Sequence, residues 1–180
     1  MRYSTFIDKA LLALEPAPMK TSLVRGTLQA KDWADRIAGA GVSELIEPHT
    51  LNSGFYADLL KAGLLLWVDD FERSHRYAQE VHTHEGSYWH AILHRREPDY
   101  MNALHWYSQI GSHSVFHQLA KSFPGWSPER FVRDCQRASP NDAELLAVQA
   151  KEFELLFDFT FAQAIHRKKP LNETRGPRPR

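Results

Sequence analysis

The sequence predicts an all-α protein, a single-domain bundle of about seven to eight helices packed as antiparallel hairpins. Three observations predict it. Apolar residues recur at spacings of three and four over most of the chain. Prolines, glycines and capping residues cut that pattern into segments of helical length. No stretch keeps the period-two alternation of a half-buried strand, and no Asn-Gly or Asp-Gly hairpin turn occurs.

The elements follow in chain order. Ser4 caps a helix running to Leu14, which the prolines of EPAP stop by removing donors and clashing with the preceding turn. Lys31 to Ala38 is a short helix closed by GAG. Ser53 opens a longer one that sets Phe55, Leu59, Ala62, Leu66 and Asp70 on one stripe and continues to about Val81, with a break at Asp69-Asp70. Two helices then flank Glu97-Pro98-Asp99, because the residue before a proline is pushed out of the α region. Asp99 caps the second of them. Small Ala91 and Ala103 allow the pair a close approach. Another helix starts at Ser112 or Ser114 and ends before Phe123-Pro124-Gly125. Ser127-Pro128 is a cap followed by proline at the first helical position, opening a helix to about Ala138. The last helix is capped by Asn141, with Glu144 completing a capping-box pattern. Phe153, Phe157 and Phe161 repeat along it every four residues. Such wide apolar coverage implies burial between other helices or contact with a second subunit, a homo-oligomer through the 141–166 helix.

The domain is expected to span residues 1–166. From Arg167 to Arg180 there are six basic residues against one acid, with prolines and a glycine between them. That segment cannot bury enough apolar surface to repay ordering, and residues 167–180 read as a disordered basic tail. The chain's formal net charge is zero, so no global field draws it to a nucleic acid or a membrane. The most hydrophobic run, Ala62 to Val68, falls far short of the roughly 20 residues a bilayer requires. A single cysteine, Cys135, rules out an internal disulfide and fits a reducing, cytoplasmic setting.

The chemistry concentrates in EGSYWHAILHRREPDYMNALHWYSQIG, Glu85 to Gly111. His90, His94 and Glu97 stand at i, i+4 and i+7, on one helical face. Two imidazoles one turn apart can reach the same divalent metal, and Glu97 can add a third ligand. His82, His84, His105, His113 or Asp99 could join from neighbouring elements. No HExxH pattern supports this, and His113-His117 is a second pair of the same spacing. A metal-free reading uses the same stretch. A histidine near carboxylates, with an arginine to hold a small anionic ligand, permits acid–base chemistry. Arg95 and Arg96 point about 100° apart, so at most one of them shares a face with His94. No Gly-x-Ser-x-Gly occurs, and the adjacent Ser74-His75 pair is poorly spaced for a nucleophile and its base. The third reading is structural. Arg95 or Arg96, Glu97, Asp99 and Asn102 then form a hydrogen-bonded network that locks the hairpin, in a scaffold or interaction module without catalysis.

Two resemblances bear on this stretch. PDYMNALHWY is weakly similar to the turn and second helix of a single tetratricopeptide-like repeat, matched at Ala91, Ala103 and Tyr107. No second copy follows at the repeat's period, so the likeness is one of hairpin packing. SHRYAQ (Ser74 to Gln79), then EGSYWHAILHRREPD, NALHWY and His113, resembles the signature of an uncharacterised family of soluble bacterial helical proteins. That resemblance spans about Ala62 to Leu119. It implies a helical domain with a polar centre at these positions, and it brings His75 into the candidate site. It implies no activity.

Overall fold

The structure, a computed structural model, describes residues 2–166, and eleven helices and one two-residue strand pair lie among them. The expected basic tail, 167–180, lies outside the described residues. The helices are α1 (Thr5–Ala13), α2 (Pro18–Thr21), α3 (Lys31–Gly39), α4 (Val42–Ile46), α5 (Gly54–Trp67) and α6 (Phe71–Gln79). They continue with α7 (His84–Arg96), α8 (Tyr100–Ser108), α9 (Ser114–Ser122), α10 (Pro128–Arg137) and α11 (Ala143–Ala164). The fold is all-α, as the sequence predicts. The higher helix count has two sources. The single turns α2 and α4 are too short to show a period. The break at Asp69-Asp70 is complete, because Asp69 sits at φ +59° and the Asp70 side chain accepts from the Arg73 amide to start α6.

Capping explains most of the boundaries. Ser4, Thr83, Asp99 and Ser127 each accept a backbone N–H from the first turn of their helix, which satisfies a donor that has no intrahelical partner. Three starts differ from expectation. Ser53, expected to cap α5, stands at its N-cap position but makes no side-chain capping bond. The α9 cap is His113, whose Nδ1 accepts from the Val115 amide at 3.2 Å. The α11 cap is Asp142, not Asn141, and its carboxylate accepts from the Leu145 amide at 3.0 Å. A carboxylate at a helix N-terminus also gains from the helix dipole, which an amide does not.

α7 is the axis of the molecule. Tyr88 to Arg96 are buried without a gap, so this helix has no solvated face. α6 and α8 pack on either side of it, and α5 joins the same group. α11 lies across α5 and contacts α2 and α9. The phenylalanine stripe points inward: Phe153, Phe157 and Phe161 are all buried within the chain, and Phe157 packs against Tyr3 and Trp89. Two glycines are dictated by close approach. A Cβ on Gly63 would stand 2.9 Å from both the Phe157 and Trp89 rings, where α5 meets α7 and α11. A Cβ on Gly86 would stand 1.9 Å from the Val81 carbonyl oxygen. Thr50–Leu51 (β1) pairs antiparallel with Ile165–His166 (β2), tying the end of α11 to the segment before α5. No helix among the described residues is long and apolar enough to cross a membrane.

Candidate functional site

The polar stretch serves three different surfaces of α7. On the first, His90 and His94 meet His75 of α6. One ligand nitrogen from each of the three lies within 4.8 Å of the other two. The His75 ring stands edge-on to both partners, with centroids 4.6 Å from His90 and 5.5 Å from His94. α8 supplies the third wall. Trp106 stacks on His90 at 4.3 Å, and the Asn102 amide nitrogen lies 3.2 Å from His94 Nε2 and 3.4 Å from Nδ1. His90 and His94 are buried and His75 is half-exposed, so the cluster opens to solvent past α6.

Electrostatics suits lone-pair donation. Burial, reinforced by the neighbouring His75 and His94, pushes the His90 imidazole down to about 4. Burial also lowers His94; Glu97 opposes that, His75 adds to it and Asp99 opposes it. The carboxylates reach His94 through Nδ1, Glu97 Oε2 at 3.6 Å and Asp99 Oδ2 at 3.8 Å. Both separations exceed a hydrogen bond, so the carboxylates act on His94 through their charge. A tetrahedral metal with nitrogen ligands at 2.0–2.1 Å sets those nitrogens about 3.3 Å apart, so rotamer shifts of about 1.5 Å would close the cluster around an ion.

The depressed His90 pKa makes a testable statement about stability. The unfolded chain takes up its proton near the ordinary histidine value of 6.5, whereas the folded chain holds off to about 4. Between those limits the unfolded state binds more protons, so stability falls as pH falls. Solvent screening reduces the effect below the full conversion, to on the order of 1 to 2 kcal/mol. The groups facing His90 are His75 from α6, His94 from its own helix and Trp106 from α8. In denaturant melts from pH 7 to pH 4, His90→Gln should lose distinctly less stability than the unsubstituted protein. Parallel curves would show that His90 titrates normally.

On the second surface, Arg95 turns away from the histidines. Its guanidinium donates to Glu152 Oε2 at 2.6 Å and to the Tyr107 hydroxyl at 2.7 Å. Tyr107 and Tyr88 in turn donate to Glu152 Oε1 at 2.7 and 3.2 Å. Gln149 accepts from Arg95 at 3.5 Å and donates to the Met19 and Ser22 carbonyls, which brings α2 into the network. On the third surface, Arg96 donates to Asp69 Oδ1 at 2.6 Å and to the Val24 carbonyl at 3.3 Å. Asp69 Oδ2 also accepts from the Gly26 amide. All four charged side chains of these two pairs are buried.

The structure therefore divides the sequence candidates. His75, His90, His94, Asn102 and, through Nδ1 of His94, Glu97 and Asp99 come together. Arg95 and Arg96 do not join them. The sequence allowed one arginine on the His94 face; neither lies there, because each finds a buried carboxylate on another helix or turn. Glu97 is not among the three converging ligands, and its Oε1 accepts from Arg25 at 2.7 Å. His82, His84 and His105 are exposed and stand outside the cluster, as does His113, which approaches Glu85 at 3.6 Å near the start of α7. Sequence reasoning missed Glu152 and Asp69 as partners. A signal existed for Glu152, which falls on the apolar face of α11 between Val148 and Leu156, a position where a lone carboxylate needs a cation.

Fold and site together define a class: an all-α protein with a tri-histidine cluster between its central helix α7 and α6, backed by buried ion-pair networks. Comparison with known protein families, with curated proteins and with solved structures finds no match to this chain.

Proposed function

We propose that the protein binds one divalent transition-metal ion, zinc as the reference species, through His75, His90 and His94. The observation that carries this reading is the convergence of three imidazole nitrogens within 4.8 Å, drawn from two helices, with burial lowering the basicity of His90 and His94. Neutral imidazoles suit zinc, nickel, copper and iron, and a ligand set of three leaves a coordination position open for water or a small anionic ligand. The structural network expected between an arginine and Glu97, Asp99 and Asn102 does not form; the ion pairs on the other two surfaces of α7 are Arg95–Glu152 and Arg96–Asp69. These pairs and the histidine cluster use different residues and are compatible. A reducing cytoplasm suits a chain whose one cysteine, Cys135, is free and buried.

The test is metal uptake by protein purified without a histidine tag. Zinc at about a hundred times its dissociation constant should stabilise the fold by about 2.7 kcal/mol, which is about 5 to 10 °C in a domain of this size. Calorimetry should give one ion per chain. His90→Ala should abolish both signals while the protein remains folded by circular dichroism. A wild-type protein that takes up no zinc, nickel or cobalt at neutral pH would end this reading.

A further inference from the structure

We infer that the open metal position takes a small oxyanion, a carboxylate or phosphate oxygen, and that the Asn102 side-chain amide orients it. This rests on the tri-histidine reading above and adds a ligand to it. Three features of the site argue for an anion and for that residue.

First, the three converging ligands are neutral, so they leave the ion's double charge uncompensated. The nearest carboxylates do not fill the open position as placed. Both approach His94 through Nδ1, Glu97 is paired to Arg25 at 2.7 Å, and Asp99 caps α8 by accepting from the Asn102 backbone amide. Second, the two arginines of α7, Arg95 and Arg96, are both committed elsewhere. Attraction for an anion has to come from the metal, with a neutral donor to set its direction. Third, Asn102 supplies that donor. Its amide nitrogen is within hydrogen-bond distance of both ring nitrogens of His94, 3.2 Å from Nε2 and 3.4 Å from Nδ1. The nitrogen of His94 that Asn102 approaches more closely is Nε2. An N–H at this distance from Nε2 is within reach of an oxygen carried by an ion on that nitrogen. The half-exposed His75 side leaves the entry open, while the Trp106 ring stacked on His90 closes the opposite wall.

Cobalt(II) makes the test optical, since its visible bands respond to a change of ligand at the metal. The cobalt-loaded full chain is titrated with acetate and, separately, with inorganic phosphate. A saturable spectral change with either anion is expected, and which anion gives it distinguishes a carboxylate site from a phosphate site. Asn102→Ala should weaken the anion's apparent affinity by about tenfold, the loss of one hydrogen bond to a charged group, while cobalt affinity stays within about threefold of wild type. Asn102→Asp, which places a negative charge beside the open position, should abolish the response and serves if the alanine variant fails to fold. A cobalt-loaded wild type whose spectrum ignores both anions overturns this inference and leaves metal binding standing. An anion affinity unchanged in both variants overturns the role of Asn102. A wild type that takes up no cobalt removes both readings together.

Discussion

Replacing Glu152 by alanine is expected to destabilise the protein by about 3 to 5 kcal/mol, a large part of the total stability of an ordinary domain. The side chain is fully buried and is the hub of the polar network around α7. It accepts from Arg95, Tyr107 and Tyr88 at 2.6, 2.7 and 3.2 Å. Burial holds both phenols well above their ordinary range, so each stays an O–H donor that needs an acceptor. Truncation strands all three donors at once. The worst is Arg95, whose Nε is already without a hydrogen-bond partner and which cannot shed its proton. The cost is that of an uncompensated buried charge, and it exceeds what the pair adds over an apolar replacement. That distinction can be measured. The double variant Arg95→Met/Glu152→Leu should recover much of the loss, leaving the two phenols as the remaining unpaired groups. Urea melts of Arg95→Met, Glu152→Leu and the double variant complete the cycle. A Glu152→Ala protein within 1 kcal/mol of wild type would show that Arg95 reaches water, contrary to its burial here.

Phe157→Ala should cost a similar amount, about 3 to 5 kcal/mol, by a different mechanism. The ring is 1% exposed and sits where three helices and the N-terminal segment meet. It stacks on Phe153 at 5.6 Å and meets Tyr3 edge-on at 5.2 Å. It also covers Gly63 of α5, where a Cβ would stand 2.9 Å from the ring. Rigid helices on both sides cannot collapse into the space the ring leaves, so the cavity persists and its cost is felt. Sedimentation should give the same mass for variant and wild type, because the stripe faces the chain's own core. A coupled test uses the glycine. Gly63→Ala forces a methyl to 2.9 Å from the Phe157 and Trp89 rings and should cost about 1 to 3 kcal/mol alone. In the Phe157→Ala background that cost should shrink, since half of the obstruction is gone. Additive losses would place the two residues apart.

How much of this was legible in the sequence depends on the range of each interaction. The hairpin of α7 and α8 was readable because everything that shapes it is local. Pro98 ends one helix, and Asp99 accepts from an amide three residues ahead. The pairing of His90 with His94 was readable for the same reason: a helix sets residues four apart on one face. Glu97 was a reasonable third ligand on spacing alone. The structure gives that place to His75, fifteen residues back on a different helix, and spacing along one helix could not show it. His75 entered the candidates only through a resemblance to other sequences. The α11 start shows a smaller limit. Asn141 and Asp142 are both good caps, and which one begins the helix depends on how the preceding turn arrives.

The arginines mark the boundary most clearly. From the sequence alone it followed that Arg95 and Arg96 diverge by about 100°, that a charge on this buried helix needs a partner, and that the chain is built of helices with these caps and breaks. Each of those statements is a consequence of backbone geometry over a few residues. Only the tertiary structure decided that the partners are Glu152, fifty-seven residues downstream, and Asp69, twenty-seven upstream. It also decided that α6 carries His75 to the histidines, and that Phe157 lands on a glycine. Those pairings depend on which helix faces meet, and that is settled by packing the whole core at once, where no single segment carries the information.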